Sequence, residues 1–330
     1  MENNKLPRIV LGCGTMGPPG TNWARVTTVA DTRAMFKTFQ SYGHTELDTA
    51  RIYSDGKQEA FTRETGILSE NAYMTIATKV YPTEAGMHKP ERLRQLFETS
   101  LQELGQQSVE IFYLHAPDRS VPFEETLEEV NKFHKEGKFN IFGLSNYAAW
   151  EVAKITEICI SKQWIRPTVY QAMYNVLTRA LEEELVPCCR HYGIDILGYN
   201  PLAGGVLSGR YKSASQIPDE GRFADVEGNI SAKLYRDRYF KDAYFDALNY
   251  ITPIIEKHGL TLIETAYRWL LHHSKLRPFD GDGIVIGASS IEQLESNLID
   301  LQKGPLPDEV VQALDEAWSM TRTVAKTYWR

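Results

Sequence analysis

The feature that most constrains this sequence is a regular alternation of short, apolar strand-like segments with amphipathic helical segments along nearly the whole chain. Strands that alternate with helices favour parallel βαβ units. Eight such units in 330 residues fit one closed barrel better than an open doubly wound sheet. The sequence therefore predicts a single α/β domain over residues 1–330, a (β/α)8 TIM barrel with extra helices. The predicted strands are Arg8–Leu11, Thr45–Ala50, Tyr73–Val80, Val109–His115, Phe139–Ser145, Thr168–Tyr174, Ile194–Tyr199 and Gly283–Ile286.

One stretch interrupts this regularity after the seventh predicted strand. It runs from Ser213 to about Arg238 and is rich in Asp, Arg, Gly and Tyr. Long loops at this end of a barrel usually carry function, so we expect a long functional loop here. Helices are predicted at Val29–Tyr42, after Gln58, from Pro90 up to Gly105, and at Phe123–Lys135, Ala148–Lys162, Leu181–Tyr192, Lys241–Lys257, Leu262–His273, Glu292–Leu298 and Asp308–Met320.

Composition argues against several classes of protein. The net charge of -7 argues against binding to nucleic acid or to an anionic membrane surface. No apolar run approaches the ~20 residues of a membrane span, and the first residues do not resemble a secretory signal. None of the four cysteines forms a C-x-x-C pair, and no His/Cys cluster indicates a metal site. We therefore expect a reduced, soluble, cytoplasmic protein without a metal.

A glycine-rich motif follows the first predicted strand, Gly12-Cys13-Gly14-Thr15-Met16-Gly17. It has the spacing G-x-G-x-x-G, but a dinucleotide-binding turn of that kind must open directly into a helix. Here Pro18-Pro19-Gly20 follows, which prevents a helix. We interpret the motif as a tight turn at the mouth of the barrel.

Polar side chains stand at the C-terminal ends of the predicted strands. Asp48 ends the second strand and Tyr53 lies just beyond it, Lys79 ends the third strand, and His115 ends the fourth. Because these ends meet at one rim of a parallel barrel, the polar groups are expected to converge there. The other strand ends carry Ser145-Asn146, Gln171, Tyr199-Asn200-Pro201 and Gly287-Ala288-Ser289-Ser290.

Each of the first four residues has an ordinary structural explanation when it is considered alone. A strand-terminal lysine usually extends to solvent, and a histidine after an apolar run is usually a hydrogen-bonded core residue. Together they are harder to explain, because burying Lys79 is costly unless a carboxylate such as Asp48 is paired with it. A lysine cation near Tyr53 would lower the pKa of the phenol and ease proton donation. His115 could orient a carbonyl oxygen by a hydrogen bond.

The order Asp48, Tyr53, Lys79, His115 resembles the catalytic tetrad of the aldo-keto reductase superfamily. The likeness covers residues 10–330 and is closest to the aflatoxin-aldehyde (succinic semialdehyde) reductase subfamily. This resemblance implies NADPH-dependent reduction of aldehydes and some ketones, with hydride passing to the carbonyl carbon while Tyr53 protonates the oxygen. Lys79 and Asp48 would then tune Tyr53, and His115 would position the substrate. The segments that carry the subfamily likeness are residues 43–50, 143–147, 167–171, 199–205, 221–223 and 328–330.

The resemblance also implies where the cofactor binds. Tyr199 would stack on the nicotinamide, and Ser145, Asn146 and Gln171 would bond its carboxamide. An extended phosphate group on an acidic protein needs local cations and helix N-terminal amides, which Arg210, Arg222 and the helix after Ser290 supply. Ala288 and Gln293 stand where many superfamily members have Lys and Arg, which weakens the expected preference for NADPH over NADH. The residues expected at the phosphates and adenosine are Asn200, Pro201, Leu202, Gly204, Arg210, Arg222, Gly287, Ser289, Ser290, Gln293 and Asn297.

For the substrate, the subfamily suggests that Arg238 and the C-terminal Arg330 hold an anionic group, although a solvated surface charge is an equally good explanation for Arg238. Other candidates at the rim are Met16, Arg51 and Tyr235. The resemblance further suggests a homodimer. These residues do not indicate which small-molecule carbonyl compound is used.

Two alternative functions remain open from the sequence. One is a dedicated biosynthetic reductase for a single secondary-metabolite carbonyl, which would share the tetrad. The other is a redox-sensing regulatory subunit that binds the cofactor and turns over slowly. A short-chain dehydrogenase is excluded, because it needs Tyr and Lys four residues apart on one helix, whereas Tyr53 and Lys79 lie on different elements.

Overall fold

A computed structural model describes residues 6–219, 221–224 and 230–330. In these residues eight strands form one closed parallel barrel, in which each strand pairs with the next and the first pairs with the last. The predicted (β/α)8 barrel is therefore confirmed. The strands are β1 Arg8–Gly12, β2 Glu46–Asp48, β3 Thr75–Val80, β4 Val109–Leu114, β5 Phe139–Ser145, β6 Val169–Met173, β7 Asp195–Tyr199 and β8 Gly283–Ile286.

Helices surround the barrel, and local sequence signals set several of their ends. Thr28 caps the first helix by accepting a hydrogen bond from the backbone N–H of Asp31. The fourth helix begins at Pro90 and stops at Gly105, whose positive φ of 65° suits glycine. The helices of the described residues are α1 Val29–Ser41, α2 Gln58–Glu64, α3 Ile67–Glu70, α4 Pro90–Leu104, α5 Phe123–Lys135, α6 Ala149–Lys162, α7 Leu185–Tyr192, α8 Ile230–Tyr239, α9 Asp242–Lys257, α10 Leu262–His272, α11 Ile291–Asp300 and α12 Asp308–Thr321.

The pairing register places the polar strand ends at a common level. Gly12 pairs with Asp48, and Lys79 pairs with Tyr113. On the next strands Ser145 pairs with Gln171. Because side chains alternate between the two faces of a strand, the residues two positions earlier form an apolar layer beneath this polar one. That layer contains Val10, Ala77, Ile111, Val169, Leu197 and Val285.

The stretch after β7 differs from the predicted long loop. The last part of the predicted loop, which runs from Ser213 to about Arg238, is the helix α8, and a 3-10 helix, Ala203–Ser208, precedes the loop. Residues 220 and 225–229 of the stretch lie outside the described residues. The helix α8 packs onto the turn that follows β7: a Cβ at Gly204 would lie 2.8 Å from the Tyr235 ring. This tertiary contact, which the local composition does not reveal, brings α8 to the mouth of the barrel.

A smaller difference concerns one predicted helix. The predicted helix Leu181–Tyr192 is divided into a 3-10 helix, Ala180–Glu182, and the shorter helix α7.

A membrane-crossing segment is not found among the helices of the described residues, none of which combines the required length and apolar character.

Candidate active site

The centre of the site is a buried ion pair between Lys79 and Asp48. Their side chains are 0% and 3% exposed, and Lys79 Nζ lies 2.6 Å from Asp48 Oδ2. Lys79 also donates to the backbone carbonyl of Thr49 at 2.7 Å. The other carboxylate oxygen of Asp48 accepts a hydrogen bond from Gln171 Nε2 at 2.9 Å. Both charges are thus satisfied, as burial in a barrel interior requires.

Tyr53 lies above this pair on a short 3-10 helix, Tyr53–Gly56, that follows β2. Lys79 Nζ is 3.4 Å from the Tyr53 hydroxyl oxygen, so one ammonium group bridges the phenol and the carboxylate. The turn after Tyr53 is strained, because Ser54 and Asp55 both adopt positive φ, 48° and 55°. The Ser54 hydroxyl stabilises it by donating to the carbonyl of Met16 at 3.0 Å.

A second buried ion pair joins the same turn to helix α2. Arg51 Nη1 lies 2.6 Å from a carboxylate oxygen of Glu59, whose side chain is 0% exposed. Arg51 also donates to the carbonyl of Gly56 at the end of the turn. The sequence placed Arg51 among the substrate-facing candidates, but the structure engages its guanidinium with the scaffold that positions Tyr53.

The pKa of Tyr53 is raised well above its ordinary value, because its hydroxyl is desolvated and lies near the negative charge of Asp48. The sequence led us to expect that the Lys79 cation lowers the pKa of Tyr53. That expectation is wrong, because the desolvation of the hydroxyl and the Asp48 charge raise this pKa. Burial lowers the pKa of Lys79, while the Asp48 charge and hydrogen bond oppose that shift. The phenol therefore keeps its proton throughout the neutral range, as a proton donor must.

His115 faces Tyr53 across the mouth, with ring centroids 6.0 Å apart. Its pKa is lowered well below the ordinary value by desolvation and by the positive charges of Lys79 and Arg330. The imidazole is therefore neutral at physiological pH and can act on an oxygen atom through a hydrogen bond. Its Nδ1 is buried without a hydrogen-bond partner in the described residues.

Two aromatic residues at the site were missed by the sequence analysis. Trp23 contacts Tyr53 edge-on at a centroid distance of 6.0 Å, and Tyr81 contacts His115 at 5.3 Å. Tyr81 could have been found, because it stands two residues beyond Lys79 at the same strand end. Trp23 comes from the irregular segment between β1 and α1, and nothing in its local sequence marks it.

The residues expected around a nicotinamide form one hydrogen-bonded network beside these groups. The Tyr199 hydroxyl donates to Asn146 Oδ1 at 2.9 Å. Asn146 Nδ2 donates to Ser145 Oγ at 2.9 Å and to the carbonyl of His115 at 2.8 Å. Gln171 completes the group through its bond to Asp48. The structure thus brings together the residues expected for the cofactor ring and those expected for proton transfer.

The residues expected around the phosphates form a backbone cradle with few side chains. Among the described residues, no atom lies within 4 Å of the position that a Cβ would take at Gly205 or Gly287. Ser290 caps α11 by accepting from the Gln293 N–H at 3.2 Å, and the first amides of this helix face the same region. Open backbone beside a helix N-terminus fits an extended phosphate group. Ser289 also donates to Gln293, and Asn297 Nδ2 lies 3.5 Å from the carbonyl of Gly287.

The remaining cofactor candidates lie around the end of β7. Asn200 adopts a positive φ of 58° and accepts a hydrogen bond from the Tyr235 hydroxyl at 3.2 Å. The Arg222 guanidinium stacks over the Tyr235 ring at 4.9 Å. Arg210 is exposed. Pro201, Leu202 and Gly204 belong to the turn that directly follows Asn200.

Two arginines of the proposed substrate group reach the mouth from distant parts of the chain. Arg238 is only 7% exposed, and within the described residues its side chain has no hydrogen bond or ion pair; its guanidinium lies 5.7 Å from the Tyr235 ring. Arg330 donates to the Tyr81 hydroxyl at 3.0 Å, and its Nε is buried without a partner in the part of the chain that the structure describes. These two cations are therefore available to an anion. Met16 is fully buried, and its backbone carbonyl accepts the hydrogen bond from the Ser54 hydroxyl.

The glycine-rich motif after β1 is a turn. A short 3-10 helix, Cys13–Thr15, follows Gly12, and the next α-helix begins only at Val29. A Cβ at Gly14 would lie 3.6 Å from the Tyr53 ring, so the turn packs against the phenol. In the part of the chain that the structure describes, no group of His, Cys, Asp and Glu could hold a metal ion.

A closed parallel barrel with a buried lysine–carboxylate pair and a phenol at its C-terminal mouth defines the class of protein, a TIM-barrel enzyme with its candidate site at that end. Comparison with known proteins then identifies the family. Residues 10–319 match the model of the Aldo/keto reductase family. The chain belongs to this family, and it is an oxidoreductase.

Relatives with established names cover almost the whole chain. The sequence is 42% identical to aflatoxin B1 aldehyde reductase member 2 of Mus musculus, over 98% of this chain and 88% of the relative. It is 44% identical to an aldo-keto reductase of Pseudocercospora fijiensis, over 89% of this chain and 100% of the relative. It is 42% identical to aldo-keto reductase pigE of Monascus ruber, over 97% and 96%. The family and these relatives support carbonyl reduction.

Proposed function

We propose that this protein reduces aldehydes, and some ketones, to alcohols with NADPH as the hydride source. The observation that carries the proposal is the Lys79 ammonium group, which contacts both the Asp48 carboxylate and the Tyr53 hydroxyl at the barrel mouth. This arrangement supplies a proton donor whose deprotonated form is stabilised by a neighbouring positive charge.

In the proposed mechanism a dihydronicotinamide supplies the hydride that the carbonyl carbon receives. Tyr53 donates its hydroxyl proton to the carbonyl oxygen, so the substrate gains a hydride and a proton and leaves as an alcohol. Lys79 stabilises the tyrosinate that remains, and Asp48 balances the charge of Lys79. The neutral His115 orients the carbonyl oxygen by a hydrogen bond. Tyr53 and His115 are half-buried, so removing water around them when substrate binds strengthens these interactions.

Three features support a nicotinamide dinucleotide. The network of Tyr199, Asn146 and Ser145 lies beside the tetrad, the glycine backbone at Gly205 and Gly287 leaves open space, and α11 presents its N-terminus there. Arg210 and Arg222 would provide the cations for the phosphates, which favours NADPH over NADH. A cytoplasmic location, expected from the cysteine pattern, and a homodimer, expected from the resemblance, complete the proposal.

The function is tested by following NADPH oxidation by absorbance with succinic semialdehyde and 4-nitrobenzaldehyde in parallel, and by repeating both assays with NADH. We expect turnover of both aldehydes and a higher kcat/KM with NADPH. Cofactor binding without turnover of either aldehyde would contradict a broad aldehyde reductase. That result would favour a dedicated biosynthetic substrate or a redox-sensing subunit.

The substrate class is tested at the C-terminus. Arg330→Met is expected to raise KM for succinic semialdehyde roughly 10- to 100-fold, because a charge-assisted hydrogen bond contributes about 1.5–3 kcal/mol. KM for 4-nitrobenzaldehyde, which has no carboxylate, should not change. Arg322→Met is the matched control, because Arg322 is a solvent-exposed arginine of the same C-terminal segment that pairs with Glu183. An equal loss with both aldehydes would contradict a carboxylate-binding role.

A further inference from the structure

Tyr113 occupies the barrel interior directly beneath the candidate active site. It lies on β4, pairs in register with Lys79 on one side and Gly143 on the other, and is fully buried. A Cβ at Gly143 would collide with the Tyr113 ring, so the ring fills the space that a side chain on β5 would otherwise take. Its ring packs against the aliphatic side chains of the layer below, and its hydroxyl is the polar group that it adds to this cluster of buried residues.

The hydroxyl of Tyr113 is buried; the Gln171 side chain acts on its oxygen as a hydrogen-bond donor and partly offsets the rise in its pKa, but the hydroxyl hydrogen has no acceptor among the described residues. Buried phenols in proteins usually have a partner, either a protein atom or an ordered water. Desolvation and the nearby charge of Asp48 raise the pKa of Tyr113, so the hydroxyl keeps its proton and can donate it to an acceptor. An unpaired donor in this position therefore needs an acceptor that the protein atoms do not provide.

A small cavity lined by Tyr113 has room for a water molecule, which can be that acceptor. Its volume is about 10 Å³, which is the room that a single water molecule needs. Three carboxylate residues line it together with Tyr113: Glu46, Asp48 and Glu110. A cavity of this size stays dry when its walls are apolar, but this one is lined by Tyr113, which offers a hydrogen-bond donor, and by Asp48, which offers an acceptor, while the Glu46 carboxylate is already bound by Arg8.

We propose that this cavity holds one ordered water molecule, which accepts a hydrogen bond from the Tyr113 hydroxyl and donates to the Asp48 carboxylate, and that Tyr113 is thereby a positioning residue for the Asp48–Lys79 pair. A carboxylate has about four lone-pair sites, and Asp48 uses two of them for Lys79 and Gln171, so a further bond is available. The second hydrogen of the water faces the Glu46 side of the cavity.

The water affects catalysis through the charge of Asp48. A hydrogen bond to the carboxylate offsets part of its negative charge, and that charge raises the pKa of Tyr53. Without the Tyr113 hydroxyl the water is held less firmly, Asp48 presents more negative charge, and the pKa of Tyr53 rises further. The charged and titratable groups that face Asp48, Tyr53 and Tyr113 are Arg8, Cys13, Glu46, Lys79, Glu110, His115, Asp195, Tyr199, Tyr235 and Arg330.

Crystal structures at high resolution test the water directly. We expect wild-type protein to show density in this cavity within hydrogen-bond distance of the Tyr113 hydroxyl and of an Asp48 oxygen, and we expect Tyr113→Phe to lack it. Tyr267→Phe is the matched control, because Tyr267 on α10 is another fully buried tyrosine whose hydroxyl has no partner in the described residues. An empty cavity in the wild-type crystal overturns the proposal.

Kinetics test the positioning role, which rests on the proposed function. Tyr113→Phe should lower kcat roughly three- to tenfold, the worth of about one hydrogen bond, with KM and cofactor Kd unchanged. The oxidation of an alcohol uses the Tyr53 phenolate, so the pH of half-maximal rate should move upward in Tyr113→Phe and stay in place in Tyr267→Phe. A pH profile unchanged by Tyr113→Phe overturns the positioning role. Wild-type protein without turnover would instead refute the proposed function, and the crystal structures would still decide the water.

Discussion

Replacing Tyr53 by phenylalanine is expected to lower carbonyl turnover by about 10²- to 10⁴-fold, the usual contribution of a positioned general acid. The substitution removes the only hydroxyl among the described residues that Lys79 Nζ contacts, and it leaves the ring in place against Trp23 and His115. Cofactor affinity should not change, because the network at Asn146 and Tyr199 does not depend on Tyr53. Steady-state NADPH oxidation measures the first quantity, and tryptophan fluorescence titration measures the second.

The matched control for this variant is Tyr73→Phe, because Tyr73 is 80% exposed and lies away from the site. Its turnover should equal that of the wild type. If Tyr53→Phe kept more than about a tenth of the wild-type kcat, Tyr53 could not be the main proton donor. If Tyr53→Phe lost cofactor binding as well as turnover, the defect would be structural and would not identify the acid.

The second large effect is expected from Asp48→Ala, which leaves the ammonium group of Lys79 buried without its carboxylate. Lys79 is 0% exposed and cannot reach solvent without a rearrangement of the barrel. Breaking a buried ion pair in this way costs about 3–5 kcal/mol of unfolding free energy. Turnover should fall at the same time, because the charge next to Tyr53 is no longer fixed. Urea unfolding followed by circular dichroism measures the stability.

A double variant separates the stability effect from the catalytic one. Asp48→Leu combined with Lys79→Met replaces the pair with apolar side chains of similar size, so most of the lost stability should return. Turnover should remain lost, because no cation is left beside Tyr53. Glu309→Ala is the control, since its ion pair with Lys257 is exposed and contributes at most about 1 kcal/mol. An Asp48→Ala protein within about 1 kcal/mol of wild type would show that the pair is not needed for stability.

The agreement between prediction and structure was best where one local signal determined the outcome. The strand ends that carry Asp48, Lys79 and Gln171 were identified from short apolar runs followed by polar residues, and the structure places all three in one hydrogen-bonded group. The cost of burying a lysine correctly predicted its pairing with Asp48. The pKa of Tyr53 was predicted in the wrong direction, because the cation was considered and the desolvation of the hydroxyl was not.

Other features depend on contacts between residues far apart in the sequence. Arg330 reaches Tyr81 across 249 positions, and Gln171 reaches Asp48 across 123. The role of Arg51 could not be predicted either, because its partner Glu59 lies on the helix that follows the turn and faces inward only after α2 has packed. None of these contacts leaves a periodic or compositional signal in the segment that carries it.

The sequence by itself determined the order of the strands and helices, the closed barrel and the end at which the site forms. It did so because backbone preferences and the two periodicities, about 2 for strands and 3.6 for helices, act over a few neighbouring residues. Only the tertiary structure decided that Arg51 braces the Tyr53 turn, that Arg238 and Arg330 reach the mouth, and that Tyr113 borders a cavity with room for a water. The three arginines depend on how a turn, α8 and the C-terminus pack at one end of the barrel. The cavity depends on how side chains from eight strands fill one closed interior, which is a property of all the strands together.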